Sequence, residues 1–355
     1  MYKIVSVLLL LSALAAPALC QRKKAAKPPS KVFTVKGDAP AKPSEPSLTA
    51  PRTGITVEKY FSDYDIRSDG TAHETFEVQQ KCETGSCLAR VKSLKQEFNG
   101  ETHNIRLLEA TVLKADGKRI DLPLTAGKVL PTPQAEAAPG FSSMKQFELE
   151  FPDVAVGDSV RYKLVLDTLK PIFGTGFDSI ERFSLMYDWR TIEISVSAPA
   201  GFALQFDTPG LQGGPVAAEP GRARWVWKAE GLKAFAPETA MLDPISSSPR
   251  FIVTSLTSFE ELGRFFAAGV REKAMVTPEV QKLADEITAG LKTPDEQAAR
   301  IYQWVNKNIR YLLVVLDRGG WVPHNTTEIL KNGYGDCKDY TTLIHALLKA
   351  KGIES

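Results

Sequence analysis

The hydrophobic period of this chain changes once, from two to about 3.6, and that switch limits the folds open to it. Between about 54 and 230, apolar and polar residues alternate. Tyr64 and Ile66 alternate up to Asp69-Gly70, a hairpin signal, and Phe76 and Val78 resume the pattern beyond it. Ala110 and Val112 lead into a second turn at Asp116-Gly117, with Ile120 and Leu122 on its far side. Phe147, Leu149 and Phe151 share a face. So do Val160, Tyr162, Leu164 and Leu166, then Ile192, Ile194 and Val196, with Trp225 and Trp227 last. Short strands with turns between them predict an antiparallel β-sandwich-like domain over 53–250. Residues 125–145, rich in Pro, Ala and Gly, are expected to form a long loop.

After about 255 the pattern is helical. Thr257 and Glu260 have capping-box spacing ahead of Leu262, Phe265 and Phe266. Thr277-Pro278 opens a second helix, with proline at the first helical position. Thr293-Pro294-Asp295-Glu296 opens a third, whose apolar face reads Ala298, Ile301, Tyr302, Val305 and Ile309. Residues 311–316 extend that helix's exit or form a strand, and Gly319-Gly320 breaks the run. The second domain is therefore set at 251–355, and the class is α+β.

Composition excludes several functions. Lys and Arg number 44 against 42 Asp and Glu, a formal net charge of +2, which gives no case for a nucleic-acid partner. A hydrophobic content of 43% excludes a wholly disordered chain, and four Cys are too few for a disulfide scaffold. Lys3, an apolar run over 5–16 and Ala16-Pro17-Ala18 have the form of a secretory signal peptide at 1–20. The run is short for a membrane span, and no later run reaches spanning length, so no integral span is expected after cleavage. Lipoprotein anchoring through Cys20 is disfavoured by the large Leu19, which stands where a small residue is wanted. Residues 21–52 carry eight basic and two acidic side chains and few large apolar ones, the composition of a flexible basic linker. Export to a periplasmic or extracellular location permits disulfides. Cys82 and Cys87, separated by Glu83-Thr84-Gly85-Ser86, are the candidate pair, with two free thiols as the alternative. No cofactor signature is present. Metal-ligand spacing and alternating-acid Ca²⁺ loops are also missing from the sequence. His73 and His103 read as surface or strand-edge residues.

The most informative segment is Gly333-Tyr334-Gly335-Asp336-Cys337-Lys338-Asp339-Tyr340, followed by the helical stripe Leu343, Ile344, Leu347 and Leu348 and ended by Gly352. Asp336 is a good N-cap, which puts Cys337 at or beside the first helical position. There the unpaired N–H groups favour a thiolate and can also donate to an oxyanion on an attacked carbonyl. Asp336 and Asp339 oppose the thiolate, and Lys338 favours it. The competing view is a small buried Cys that starts a core helix. His345, eight residues along, is separated by about 12 Å of axial rise and is too far to serve as a base. His324 lies in a loop and reads as structural. Trp321 is a candidate wall of the site or a core anchor.

Residues from about 293 to 353 resemble the first half of a transglutaminase-like domain of the papain-like cysteine group. The matching text is Ile301-Tyr302-Gln303-Trp304-Val305, Asn308-Ile309-Arg310-Tyr311, Trp321-Val322-Pro323, Gly335-Asp336-Cys337-Lys338-Asp339 and Gly352-Ile353. Residues 54–250 resemble the β-rich domain of unknown function that precedes such domains in exported bacterial proteins. That likeness rests on the strand pattern, the turns Ser68-Asp69-Gly70 and Asp116-Gly117-Lys118, and the domain order. The resemblance implies that Cys337 is the nucleophile and its backbone N–H an oxyanion donor, supported by Gly335, Asp336, Lys338 and Asp339. It further implies a partner His and Asp on strands downstream. The sequence ends at Ser355, eighteen residues after Cys337, so a truncated domain, inactive as it stands, is expected.

Two functions follow. One is cysteine-nucleophile acyl transfer on the peptide amides of a protein or peptide substrate, with protease, transglutaminase and amidase chemistry all open. The other is a non-enzymatic cell-envelope binding module that uses the β domain. Oligomeric state is open in both. The stripe on the nucleophile helix is expected to lack a full partner, leaving 335–355 locally unstable.

Overall fold

The computed structural model describes residues 53–137, 143–184, 186–234, 248–312 and 322–355. The expected leader and linker, and Trp321, lie outside them.

The first part is built of strands β1 (Ile55–Ile66), β2 (Ala72–Cys82), β3 (Ser93–Asn99), β4 (His103–Leu113), β5 (Arg119–Asp121), β6 (Lys128–Pro131) and β7 (Met144–Glu150). It continues with β8 (Ser159–Thr168), β9 (Asp178–Arg182), β10 (Asp188–Pro199), β11 (Gln205–Asp207), β12 (Gln212–Val216), β13 (Arg222–Leu232) and β14 (Arg250–Thr254). Eight of them form one long sheet in the order β12-β13-β10-β1-β2-β8-β4-β5. Two three-stranded sheets, β11-β14-β9 and β3-β7-β6, pack against it. The alternation puts Tyr60, Tyr64, Phe76, Val78, Leu164, Ile192 and Ile194 into one buried face. Phe251 and Val253 from one small sheet and Phe147 and Leu149 from the other meet that face. Aromatic rings close the contact: Phe206 lies 4.5 Å from Trp227, and Tyr60 lies edge-on to Phe183 at 5.3 Å.

One pair departs from the expected antiparallel arrangement. β1 and β10 run parallel, with Tyr60 opposite Ile192 and Tyr64 opposite Val196. Alternation within a strand fixes which side chains face the core, but it carries no information about a partner more than a hundred residues away. The expected loop at 125–145 is also corrected, since it contains β6 and a short helix α2 (Pro133–Ala137), after an earlier short helix α1 (Leu88–Val91). Every residue of β6 is exposed, so it shows no alternation that could reveal a strand. Gly70 does what the hairpin signal requires. It has φ 79°, and an added Cβ would lie 2.4 Å from the Thr175 carbonyl oxygen. Cys82 and Cys87 are joined as a disulfide that closes the start of α1 onto β2.

The second part is helical: α3 (Phe259–Lys273), α4 (Pro278–Ile287), α5 (Pro294–Asn308), α6 (Thr326–Asn332) and α7 (Cys337–Ala350). The cap of α3 is one residue later than expected. Ser258 accepts from the Glu261 N–H at 3.2 Å, and Glu261 in turn holds the Thr257 N–H. Thr277 caps α4, and Thr293 with Glu296 forms the expected capping box of α5. A separate core joins Val280, Ala284, Ile301, Val305, Ile329, Leu343 and Leu347. The α7 stripe expected to be bare is therefore covered by α4, α5 and α6, with Leu343 and Leu347 fully buried and Ile344 half-buried. Among the described residues no helix is long and apolar enough to cross a membrane.

Candidate active site

The site begins with a chain reversal. Gly333 ends α6 in the left-handed region at φ 68°. The short strand β16 (Tyr334–Gly335) then pairs in parallel with β15 (Arg310–Tyr311), which follows α5 directly. Arg310 N donates to the Gly333 carbonyl at 2.8 Å, and Leu312 N donates to the Gly335 carbonyl at 2.9 Å. An added Cβ on the buried Gly335 would lie 2.6 Å from Asp339 Cβ, so the backbone needs glycine there to approach the first turn of α7.

Asp336 caps α7. Its carboxylate accepts from the N–H groups of Lys338 at 3.1 Å and Asp339 at 3.3 Å. Asp339 completes the capping box by accepting from the Asp336 N–H at 3.3 Å, and Tyr340 N donates to the Asp336 carbonyl at 3.0 Å. These bonds use the N–H groups of residues 336, 338, 339 and 340. The N–H of Cys337, at the first helical position, is left free of any bond within the helix. The Cys337 thiol is unpaired and exposed.

The charges around the thiol are individually partnered. Lys338 Nζ is paired with the buried Asp336 carboxylate. Asp339 is also buried, and His324 donates its backbone N–H to one of its oxygens at 2.8 Å while Nδ1 meets the other at 3.0 Å. Burial alone would raise the Asp339 carboxyl. The bonds from the His324 ring and N–H outweigh it and hold the carboxyl below its usual range. The bond to Asp339, ahead of an opposing desolvation, raises His324 above its ordinary value. His324 is thus tied to the carboxylate and has no hydrogen bond to the thiol. His345 bonds Ser355 Oγ at 2.8 Å. Of the remaining histidines, His73 pairs across strands with Asp167, and His103 is buried on β4.

Cys337 opens onto a groove of about 810 Å³ between α5, β15 and α7. Tyr302, Asn306, Arg310, Tyr311 and Tyr340 are among its walls. Tyr302 was expected on the buried face of α5, but it is 60% exposed and lines this groove. It sits one position beyond Ile301, at the edge of the apolar stripe, and Asn306 lies one turn further along the same side. Tyr340 is oriented by donating its hydroxyl to the Ile309 carbonyl, and it holds Tyr311 edge-on at 5.6 Å. Tyr311 lines the groove together with Cys337, and desolvation, followed by the nearby Cys337, raises its hydroxyl above the ordinary value. Tyr311 and Tyr340 had no assigned role in the sequence. The only available hint was that the tyrosine after Asn308-Ile309-Arg310 ends a helix, in the run that returns towards the cysteine loop. Among the described residues no group of three or more His, Cys, Asp or Glu is placed to hold a metal ion.

Comparison with known proteins agrees with this layout. Residues 68–236 match a domain of unknown function, DUF3857, and residues 281–355 match the transglutaminase-like superfamily. A crystal structure of a "putative protease" from Parabacteroides distasonis ATCC 8503 superposes with a TM-score of 0.71 at 15% identity. The match covers 84% of this chain and 59% of that one, so the chain spans about three fifths of the length of that structure. An M1 zinc metallopeptidase from Deinococcus radiodurans reaches a TM-score of 0.32 at 12% identity over 59% of this chain and 43% of its own, too slight a likeness to argue from. No curated protein matches the sequence. The β-rich part at 68–236 belongs to the DUF3857 family, and the helical part that carries Cys337, at 281–355, belongs to the transglutaminase-like superfamily.

Proposed function

We propose that this is an exported cysteine-dependent acyl-transfer protein acting on peptide amides, with Cys337 as its nucleophile. One observation carries the reading. The thiol is exposed in a groove at the first position of α7, and the capping box leaves the Cys337 N–H as the donor available to an oxyanion. The sulfur adds to the amide carbonyl, and the carbonyl oxygen takes up negative charge beside that N–H. The C–N bond breaks and the amine leaves protonated, with a thioester remaining. Water or a second amine then takes the acyl group and returns the sulfur to thiol. The proton steps need a base, which the resemblance assigns to a His oriented by an Asp on strands downstream of α7. Gly335, Asp336, Lys338 and Asp339 set the approach and cap of the helix that presents the sulfur. Trp321 is proposed as a further wall.

Export is supported by the leader-like composition of 1–20 and by the Cys82–Cys87 disulfide, a bond typical of oxidising compartments. The substrate class is a protein or peptide, with the cell envelope as its setting. The test is turnover of peptide amides by the full-length native protein, read as ammonia or amine release and as amine incorporation, which separates hydrolysis from transamidation. Cys337→Ala should lower either activity by about 10³-fold or more, the scale for loss of a catalytic nucleophile. Undiminished turnover in that variant would overturn the reading.

A further inference from the structure

A cavity of about 630 Å³ lies in the β-rich part, at the seam between the two small sheets. We propose that it binds a short peptide by its C-terminus, with the terminal carboxylate on Arg90, an apolar side chain inside and a peptide carbonyl on the Tyr162 hydroxyl. The inference is independent of the role of Cys337.

The long sheet supplies one wall through Val57 of β1 and Val160 and Tyr162 of β8. Leu94 and Lys95 of β3 and Arg182 of β9 supply others. β3 and β9 are the outermost strands of their sheets, so two sheet edges meet at the cavity. Helix α1 borders it through Arg90 and Val91 and is held from both sides. The Cys82–Cys87 disulfide fixes its start to β2, and Arg90 donates to the Tyr187 hydroxyl at 2.9 Å, which ties it to the segment before β10.

Two side chains select the ligand. Tyr162 is 3% exposed, and its hydroxyl has no hydrogen-bond partner among the described residues, where a buried hydroxyl ordinarily has one. Desolvation raises this phenol above its ordinary value, so it stays a donor. A ligand carbonyl in the cavity satisfies it. Arg90 is exposed and gives one N–H to a neutral phenol, and among the described residues no carboxylate pairs with it. Lys95, paired with Glu148, and Arg182 add positive charge, and no Asp or Glu is among the described lining residues. A guanidinium with N–H groups to spare is suited to a carboxylate. Val57, Val91, Leu94 and Val160 favour an aliphatic side chain beside these two groups. The volume is that of a small-ligand pocket. A fatty acid also joins a carboxylate to an apolar body, but it brings no second acceptor for Tyr162.

The test is isothermal titration calorimetry on the full chain carrying Cys337→Ala, which keeps turnover out of the measurement. The probe is N-acetyl-leucyl-leucine. It should bind, and its C-terminal amide should bind about tenfold more weakly, the factor for one charge-assisted hydrogen bond. Arg90→Gln should weaken the acid by about tenfold and narrow its advantage over the amide. Tyr162→Phe should weaken both by about fivefold. It should leave thermal stability unchanged or higher, because the hydroxyl it removes has no partner, and that separates a lost ligand contact from a folding defect. Decanoate should bind more weakly than the peptide and be indifferent to Tyr162→Phe. Absence of binding, equal affinity for acid and amide, or an affinity unmoved by both substitutions would overturn the proposal. Decanoate bound as tightly as the peptide would assign the cavity to fatty acids and overturn the peptide reading. Turnover kept or lost in Cys337→Ala bears on the nucleophile alone, so the two readings fail separately.

Discussion

At the residue scale, the least foreseeable contact is that between His324 and Asp339. The sequence marks His324 as a structural loop histidine and Asp339 as a charge that opposes the thiolate. The structure joins them, 15 residues apart, so that Asp339 faces His324 and the capping box. No local pattern shows such a pair, because the loop has no period and the bond depends on how α6 folds back. Its titration is predictable. The bond to Asp339 raises His324, so the pair's stabilisation is fully present below about 6.5, the ordinary histidine value. It is lost as pH rises through the higher folded value. On the acid side Asp339 is depressed, and its contribution fades as pH falls through the lowered folded value. His324 is half-exposed, so solvent screens the pair and its effect on global stability is small. The sharper readout is the His324 imidazole followed by NMR. Its midpoint should lie above 6.5 in the parent chain and fall back towards that value in Asp339→Asn. A midpoint unmoved by the substitution would show that the carboxylate is not its partner.

At the element scale, the helices were more legible than the strands. Caps are local in sequence, and Thr277, Thr293 and Asp336 cap α4, α5 and α7 as their spacing suggests. The slip at α3 arose because Thr257 and Ser258 are both capping types and Glu260 and Glu261 both suit the partner position. The sequence could not show that the Leu343 and Leu347 stripe finds its cover within the chain. Helical period reveals an apolar face and not the helix that lies against it. That correction has a measurable consequence. Leu343 is fully buried between α7 and its neighbours. Leu343→Ala should destabilise the helical part by about 2–5 kcal/mol, as large-to-small core changes do. Asp336→Ala, which removes the N-cap and strands Lys338, should cost about 1–2 kcal/mol. Urea unfolding followed by helical circular dichroism measures both. A negligible effect of Leu343→Ala would restore the expectation of a bare, unstable α7.

At the scale of the whole molecule, the order of the strands was hidden because it is set by contacts across long sequence distances. β1 lies between β2, its hairpin partner, and β10, more than a hundred residues later. A buried polar knot fastens that arrangement to the smaller sheet. Tyr60 and Tyr64 of β1 both donate to the carboxylate of Glu181 on β9, and Ser179 bonds Tyr64 at 3.0 Å. Desolvation by burial and then the Glu181 charge raise both phenols well above their ordinary value, so they remain donors. The two hydrophobic cores are distinct, one formed by the strands and one by the helices, with Phe173 packed edge-on to Phe265 of α3 at 5.2 Å. Separate cores imply separate cooperativity, so we expect two unfolding transitions. Glu181→Leu would remove the acceptor that the two buried hydroxyls share and should lower the β-sheet transition by about 1–3 kcal/mol. It should leave the helical transition and the alkylation rate of Cys337 unchanged. Leu343→Ala should do the reverse. With Trp304 and Trp321 replaced by Phe, tryptophan fluorescence from Trp189, Trp225 and Trp227 reports on the strands, and far-ultraviolet circular dichroism at the helix minimum reports on α3 to α7, so one denaturant series can follow both. If Glu181→Leu moved the two signals together, the strand and helix layers would be a single cooperative unit, and the domain division near residue 250 would have to be abandoned.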